Sequence, residues 1–486
     1  MPADVLSLEA GTFPDLPRPR RDAAARWRSS AVTTLVFVAG GVAIWRSEVA
    51  GLVVVSLAVT AVLVLLFREV AFQALVAWVV LAPLAFAFAR FPSQHPILTF
   101  DRVWIAGLAA AFVLSQSPPG SSATAPASRA MAAALACLVA TFGLRSLTTS
   151  GAQTMTLWID AALLPLVVFL VTRRAASTFD RCCSLLGALT ASGAVLGAIG
   201  VAQKLFGFEL ASRTGGVPRF DSLVGQVRPS GPYAVPEVFA VVLLVCLAAT
   251  LCWTALRGPA AYPVGLAAAA LEVAAIGTTL FRAAWLAAIA VVVIAVGIRP
   301  RRPGRAFFTV ALAGAAVLAL ITQLDGTRTV STRLDDRRNV HGRMATYDVA
   351  LDLFGEAPLF GIGVDRFEAA TPLRARTYVQ GVASLDHPHS SYLSVLAEQG
   401  LFGFLPFLGA TLAGWWLLHT LRRRATSRAE AFAAAAVAAG AFAYWFVSLT
   451  LELLPYGPSN AYLALLLGIA AARLDALDPR PRAVTA

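Results

Sequence analysis

The stretch from Ala261 to Ile298, AYPVGLAAAALEVAAIGTTLFRAAWLAAIAVVVIAVGI, carries only two charged residues, Glu272 and Arg282. One membrane crossing takes about 20 apolar residues. The run is therefore too long for one crossing and suits two, divided at Arg282. The rest of the chain has the same character. Of its 486 residues 58% are hydrophobic and 14% charged, with a mean hydropathy of +0.73. A water-soluble fold cannot hide that much apolar surface, because roughly half of any folded surface stays wet. A cytosolic enzyme, a secreted domain and a disordered chain are excluded, and the lipid bilayer is the solvent that fits.

Working outward from that stretch, apolar runs predict spans at 31–46, 49–67, 70–90, 102–116, 129–146, 155–172, 183–203, 235–256, 261–280, 283–298, 306–323, 391–420, 430–453 and 457–473. The expected fold is an all-α polytopic membrane protein of about 14 transmembrane helices (range about 12–14). Basic residues mark the cytoplasmic side. One orientation puts the tail with Arg18, Arg20 and Arg21, the pair Arg173–Arg174, the clusters at 299–305 and 422–428, and the C-terminal Arg473, Arg480 and Arg482 all inside. The expected organisation is a basic cytoplasmic tail (1–30), an N-terminal helical part (31–323), a large, partly helical extracytoplasmic loop (324–390), C-terminal transmembrane helices (391–474) and a cytoplasmic tail (475–486). The Ser/Pro/Ala-rich stretch 117–128 reads as a cytoplasmic loop.

The chain holds 39 basic and 27 acidic residues, a net charge of +12. The arginines stand in short clusters between apolar runs, the pattern of topology signals and headgroup contacts, with nothing to favour nucleic acid. The five cysteines lie in or beside apolar runs, lack metal-ligand spacing and read as small core residues. No cofactor or metal site is expected; Asp335 and Asp336 sit among arginines that would neutralise them.

Long structured loops are usually functional, and three of the five histidines, His341, His387 and His389, fall in the long outer one. His387 and His389 belong to HPHSSYL, directly before an apolar helix. Pro388 restricts its neighbour to extended backbone, and Ser390 or Ser391 can cap the helix. His389 thus belongs at the membrane face near a helix N-terminus, where a base can meet an anionic substrate; a solvated loop histidine fits the same position. Arg282 interrupts TTLFRAAWL, at a cost on the order of 3 kcal/mol unless it reaches an interface or a partner. It either snorkels to the headgroups or clamps an anion. Arg228 lies in VRPSGPYAVPEVFA just before a span, as an interfacial anchor or a second clamp. Arg343 is expected to open an amphipathic helix in which Met344, Tyr347, Ala350, Leu351 and Phe354 recur at helical spacing. Several outer arginines beside one histidine suit a diphosphate headgroup, since guanidinium forks grip phosphate oxygens and stay charged.

The end of the outer loop resembles the bacterial O-antigen ligase and O-antigen polymerase family. That family has a histidine followed by Asn, Ser or Gln, nine residues, then Gly-x-x-Gly. His389, Ser390, Gly400 and Gly403 in HSSYLSVLAEQGLFGFL fit, as do the internal Tyr-Leu and Ala-Glu-x-Gly. Arg343 with PLFGIGVDRF, Arg282 and the RPSGPY turn match more weakly, and the resemblance covers roughly residues 200–475. Ser390 stands where Asn is commonest, and Glu237 where the span after RPSGPY usually begins with Asn.

The resemblance implies a GT-C type membrane glycosyltransferase, metal-independent and inverting. It would take a glycan from a polyprenyl-diphosphate carrier in the outer leaflet of the cytoplasmic membrane and pass it to a sugar acceptor, glycan or lipid-anchored. His389 would be the base, and Arg282, Arg343 and Arg228 would hold the diphosphate. His387, Tyr392 and Glu398 would support them, Glu398 as a buried carboxylate with an arginine or hydroxyl partner. Polymerase and ligase both fit the motifs. A transporter or flippase, and a non-catalytic subunit of a polysaccharide assembly complex, are the alternatives.

Overall fold

The computed structural model describes residues 48–87, 90–91, 98–114, 124–149, 152–208, 210, 220–221, 226–233, 235–297, 338–371 and 387–478. The chain divides into two units, residues 1–62 and 63–486. In the first, the described residues are helical from Glu48 onward; the second holds the helical bundle. The helices are α1 (Glu48–Phe86), α2 (Phe100–Leu114), α3 (Pro126–Thr148), α4 (Ala152–Trp158), α5 (Leu164–Ala175), α6 (Phe179–Phe206), α7 (Pro236–Arg257), α8 (Tyr262–Thr278), α9 (Arg282–Gly297), α10 (Arg338–Glu356), α11 (Phe367–Ala370), α12 (Ser391–Arg423), α13 (Arg428–Val447) and α14 (Gly457–Leu477). A π turn, Ile159–Leu163, joins α4 to α5. Two short antiparallel hairpins accompany them, Arg90–Phe91 (β1) with Leu98–Thr99 (β2), and Phe220–Asp221 (β3) with Gln226–Val227 (β4).

Among the described residues, eight helices are long and apolar enough to cross a membrane, and Val70–Phe86 and Arg282–Ile294 are shorter apolar helices. The expected spans at 31–46 and 306–323 lie outside the described residues, as do the tail 1–30, Asp335, Asp336 and the end of the C-terminal tail. The division at Arg282 holds: α8 ends at Thr278 and α9 opens on Arg282. The span expected at 430–453 ends at Val447 instead. Residues 448–456 form a turn, because Pro455 and Gly457 stop helix continuation and the next helix starts with a proline in its first turn.

Local sequence sets most boundaries. Proline opens α3 and α7, where its missing N–H costs nothing. Thr178, Ser390 and Ser427 cap α6, α12 and α13 through their hydroxyls. α7 lies at the centre: from Val238 to Ala249 every residue is buried, so it is apolar all round rather than amphipathic.

Polar contacts define the two ends of the bundle. At one end Arg173 pairs with Asp475, Arg473 with Glu430 and Arg424 with Asp478, tying the C-termini of α5, α12 and α14 to the start of α13. At the other end the start of α12 is tied to the 448–456 turn. Ser391 N donates to Ser448 O (2.9 Å) and its Oγ to Leu451 O (3.2 Å), while Leu453 N donates back to that Oγ (2.9 Å). Ser394 Oγ donates to Glu452 Oε1 at 2.7 Å. Of the arginines expected inside, Arg173, Arg424 and Arg473 thus gather at one end, and the histidine turn stands at the other.

Candidate functional site

The site begins with backbone geometry at HPHS. His389 has φ of 53°, a left-handed conformation that non-glycine residues rarely adopt. Ser390 returns to extended backbone and accepts from Leu393 N (3.4 Å). The capping hydroxyl and the buried Pro388 hold the turn, and the imidazoles of His387 and His389 lie 4.2 Å apart between centroids, both rings half-buried. Among the described non-glycine residues only Leu280 and Asp365 share this backbone state. Leu280 lies two residues before Arg282, and Asp365 in the loop after PLFGIG. Strained residues persist where surrounding structure over-determines them, and they cluster at functional sites.

The three arginines come from three elements. β4 leads directly into Arg228, whose Nη1 pairs with Glu237 Oε1 (2.8 Å) on the first turn of α7. Its Nε donates to Thr279 O (2.7 Å) at the end of α8. Arg282 is the first residue of α9, three positions beyond Thr279. Arg343, on α10, is half-buried. Burial pushes its pKa below the ordinary arginine range; the field of Tyr347 and Glu237 opposes the shift, and that of Arg282 and Arg228 adds to it. Three guanidinium groups and one carboxylate therefore share one electrostatic neighbourhood. Thr346 joins it to the histidines, its Oγ1 lying 2.8 Å from Arg343 O and 3.3 Å from Pro388 O. Tyr347 Oη donates to Leu449 O (3.0 Å), seating α10 on the 448–456 turn.

Two details differ from expectation. α10 starts at Arg338, so Arg343 lies inside the helix rather than at its opening. Its buried face consists of Ala345, Thr346, Val349, Ala350 and Leu353, whereas Met344 and Leu351 are exposed. Apolar spacing alone selects the wrong stripe because small Ala and Thr face the neighbouring α12.

Gly400 explains the Ala-Glu-x-Gly part of the motif. At φ 61° it breaks α12, freeing backbone groups on both sides. The PLFGIG loop takes them up. Ile362 N donates to Ala397 O and Gly363 N to Glu398 O, while Leu401 N and Phe402 N donate to Pro358 O and Leu359 O. A β-carbon at Gly400 would lie 2.5 Å from the carbonyl carbon of Leu359. Glu398, 7% exposed, accepts from Arg366 N and Phe367 N, both at 3.1 Å. Its partners are thus amide groups of the outer loop, in place of the expected arginine or hydroxyl. Two amides at the start of α11 suit a carboxylate better than one side-chain donor. Tyr392 sets its ring edge-on to Phe407 at 5.2 Å between centroids.

The structure therefore brings Arg228, Arg282, Arg343, His387 and His389 to one end of the bundle, while Glu398 braces the loop and Tyr392 packs along its own helix. Sequence reasoning missed Glu237 as the partner of Arg228 and Thr346 as the link to the histidines. A carboxylate in the first turn of an otherwise apolar span was the available signal for Glu237. Among the described residues no group of three His, Cys, Asp or Glu side chains could hold a metal ion.

A helical membrane protein with guanidinium groups and an imidazole gathered at one end of its bundle is the class that fold and site define. The family model described as O-antigen ligase matches residues 266–408 of the chain. The matched segment includes Arg282, Arg343, His387, His389 and both motif glycines and leaves Arg228 outside. No curated protein matches the chain. The match supports a role in surface polysaccharide assembly and suggests a glycosyl-transfer enzyme, in keeping with the apolar helices of the fold.

Proposed function

We propose that the protein transfers a glycan from a polyprenyl-diphosphate carrier to a sugar hydroxyl at the outer face of the bacterial cytoplasmic membrane. The observation that carries the reading is the shared neighbourhood of Arg228, Arg282 and Arg343 beside the HPHS turn. The acceptor oxygen forms a bond to the anomeric carbon from the face opposite the carrier. The bond from that carbon to the diphosphate oxygen breaks, and the configuration inverts. The acceptor proton passes to His389, neutral before the step. The leaving diphosphate needs charge stabilisation rather than a proton. Fixed guanidinium groups supply that as the charge develops, and no metal is called for in this reading. His387 orients the acceptor beside His389, and Glu398 and Tyr392 hold the scaffold.

Both acceptors remain in this reading: a second carrier-linked unit, extended by polymerisation, or a lipid-anchored core, joined by ligation. Incubating the purified full chain with carrier-linked repeat units tests the proposal. Longer glycans on the carrier mark a polymerase, and unchanged length on a new anchor marks a ligase. Transfer undiminished in His389→Ala at normal expression overturns the reading.

A further inference from the structure

A cavity of about 160 Å³ opens beside this site, outside the family-matched segment. By the usual measure of about 10–15 Å³ per water it holds on the order of ten waters. Its polar wall comes from Asp101, Arg102, Asp160 and Tyr233, and Phe86 and Tyr456 add aromatic surface. Its location follows from the elements that build it. Asp101 and Arg102 begin α2, Asp160 lies in the π turn, and Tyr456 ends the 448–456 turn that also anchors α12. Tyr233 ends the same RPSGPY turn that Arg228 begins. The turn therefore separates the two sites and belongs to both.

The chemistry of the wall selects a ligand class. Arg102 forks onto Asp160, Nε to Oδ1 at 2.9 Å and Nη2 to Oδ2 at 2.7 Å, so this pair is neutral as a whole. Asp101, 5% exposed, accepts from Trp78 Nε1 (2.9 Å). Tyr233 is 1% exposed, and its hydroxyl has no hydrogen-bond partner among the described residues. A buried hydroxyl without a partner costs stability unless a ligand completes it. With Arg102 and Asp160 neutralising each other and Asp101 the remaining carboxyl group, the wall offers a diphosphate no net positive charge, and an acyl chain would leave the ion pair without compensation. Carboxylate acceptors, a guanidinium donor, a spare hydroxyl and aromatic faces together suit a neutral polyol with many hydroxyls. We infer that this cavity binds a sugar residue of the lipid-linked glycan, with Tyr233 and the Arg102–Asp160 pair as its polar contacts. The inference rests on the proposed transfer reaction and names where the glycan, rather than its carrier, is held.

The test compares wild-type protein and Tyr233→Phe in lipid nanodiscs. The probes are sugar-free polyprenyl diphosphate and the same carrier bearing a glycan isolated from the cells that make it. The expected result is an affinity for the glycan-bearing carrier about tenfold lower in Tyr233→Phe, with sugar-free carrier bound equally by both. Tyr233→Phe removes one oxygen and leaves the ring contacts, so a folding defect is not expected; Asp160→Asn serves as a second variant, with the same selectivity expected. Equal binding of both probes by wild type and Tyr233→Phe overturns the inference. So does a rise in thermal stability of wild type with Mg²⁺ or Ca²⁺ that Asp160→Asn abolishes, which would make the cavity a cation site. Transfer by His389→Ala, measured in parallel, separates these outcomes from failure of the transfer reading itself.

Discussion

At the scale of single residues, the site combines a rigid imidazole with guanidinium groups from separate elements. The backbone of His389 is held by its left-handed conformation and by the Ser390 cap, so the residue's place in the turn is set before substrate arrives. Its replacement by Ala should lower transfer by about 10²–10⁴-fold, the usual worth of a positioned base, with normal abundance in the membrane; radiolabelled glycan transfer in purified protein measures it. Arg343 offers a second prediction. Its guanidinium is half-buried beside two others, and a planar fork is harder to replace there than a point charge. Arg343→Ala should cost about 10²–10³-fold in turnover and Arg343→Lys about tenfold. A lysine variant as inactive as alanine would assign the residue to packing rather than to charge.

At the scale of elements, the docking of PLFGIG onto the broken α12 is the feature that gives the motif its spacing. Gly400 requires both a left-handed backbone and a close approach to Leu359. Gly400→Ala should therefore destabilise the protein by about 1–3 kcal/mol, seen as a lower midpoint of thermal unfolding in detergent. Glu398→Gln keeps an acceptor for the amides of Arg366 and Phe367, whereas Glu398→Ala leaves both without one. Alanine should expose the loop at 358–371 to faster hydrogen exchange, and glutamine should leave exchange near wild type. Much of this level was open to reading from the sequence. Long apolar runs defined spans, because lipid obliges the backbone to satisfy itself within each helix. The His389–Gly403 spacing pointed to the candidate site, and the family model matches across it. The helix break, the left-handed His389 and the buried face of α10 were not legible. Each depends on a tertiary neighbour: the loop that pairs with α12, the turn that holds Pro388, and the α12 surface that accepts Ala345 and Val349. The cavity walled by Arg102, Asp160 and Tyr233 was missed because Arg102 and Asp160 stood singly at the ends of generic spans. Ionisable residues in such places are the signal that points there.

At the scale of the whole molecule, the distribution of charge makes a statement about topology. The ion pairs of Arg173, Arg424 and Arg473 stand at one end of the bundle and the HPHS turn at the other. Basic residues are retained on the cytoplasmic side, so the histidine end should face outward, where carrier-linked glycans are assembled in this reading. Single cysteines report on this directly. All five native cysteines are free, and four of them, Cys182, Cys183, Cys246 and Cys252, are buried, with only Cys137 exposed. In a Cys137→Ser background, Asp348→Cys on the exposed side of α10 and Arg423→Cys at the end of α12 lie at opposite ends of the bundle. A membrane-impermeant maleimide applied to intact spheroplasts should label the cysteine at 348 at once and the one at 423 only after the membrane is opened. The reverse pattern would turn the arginine site toward the cytoplasm, away from the outer leaflet, and would remove the physical basis for transfer from an outer-leaflet carrier even if every contact in the site stood as described.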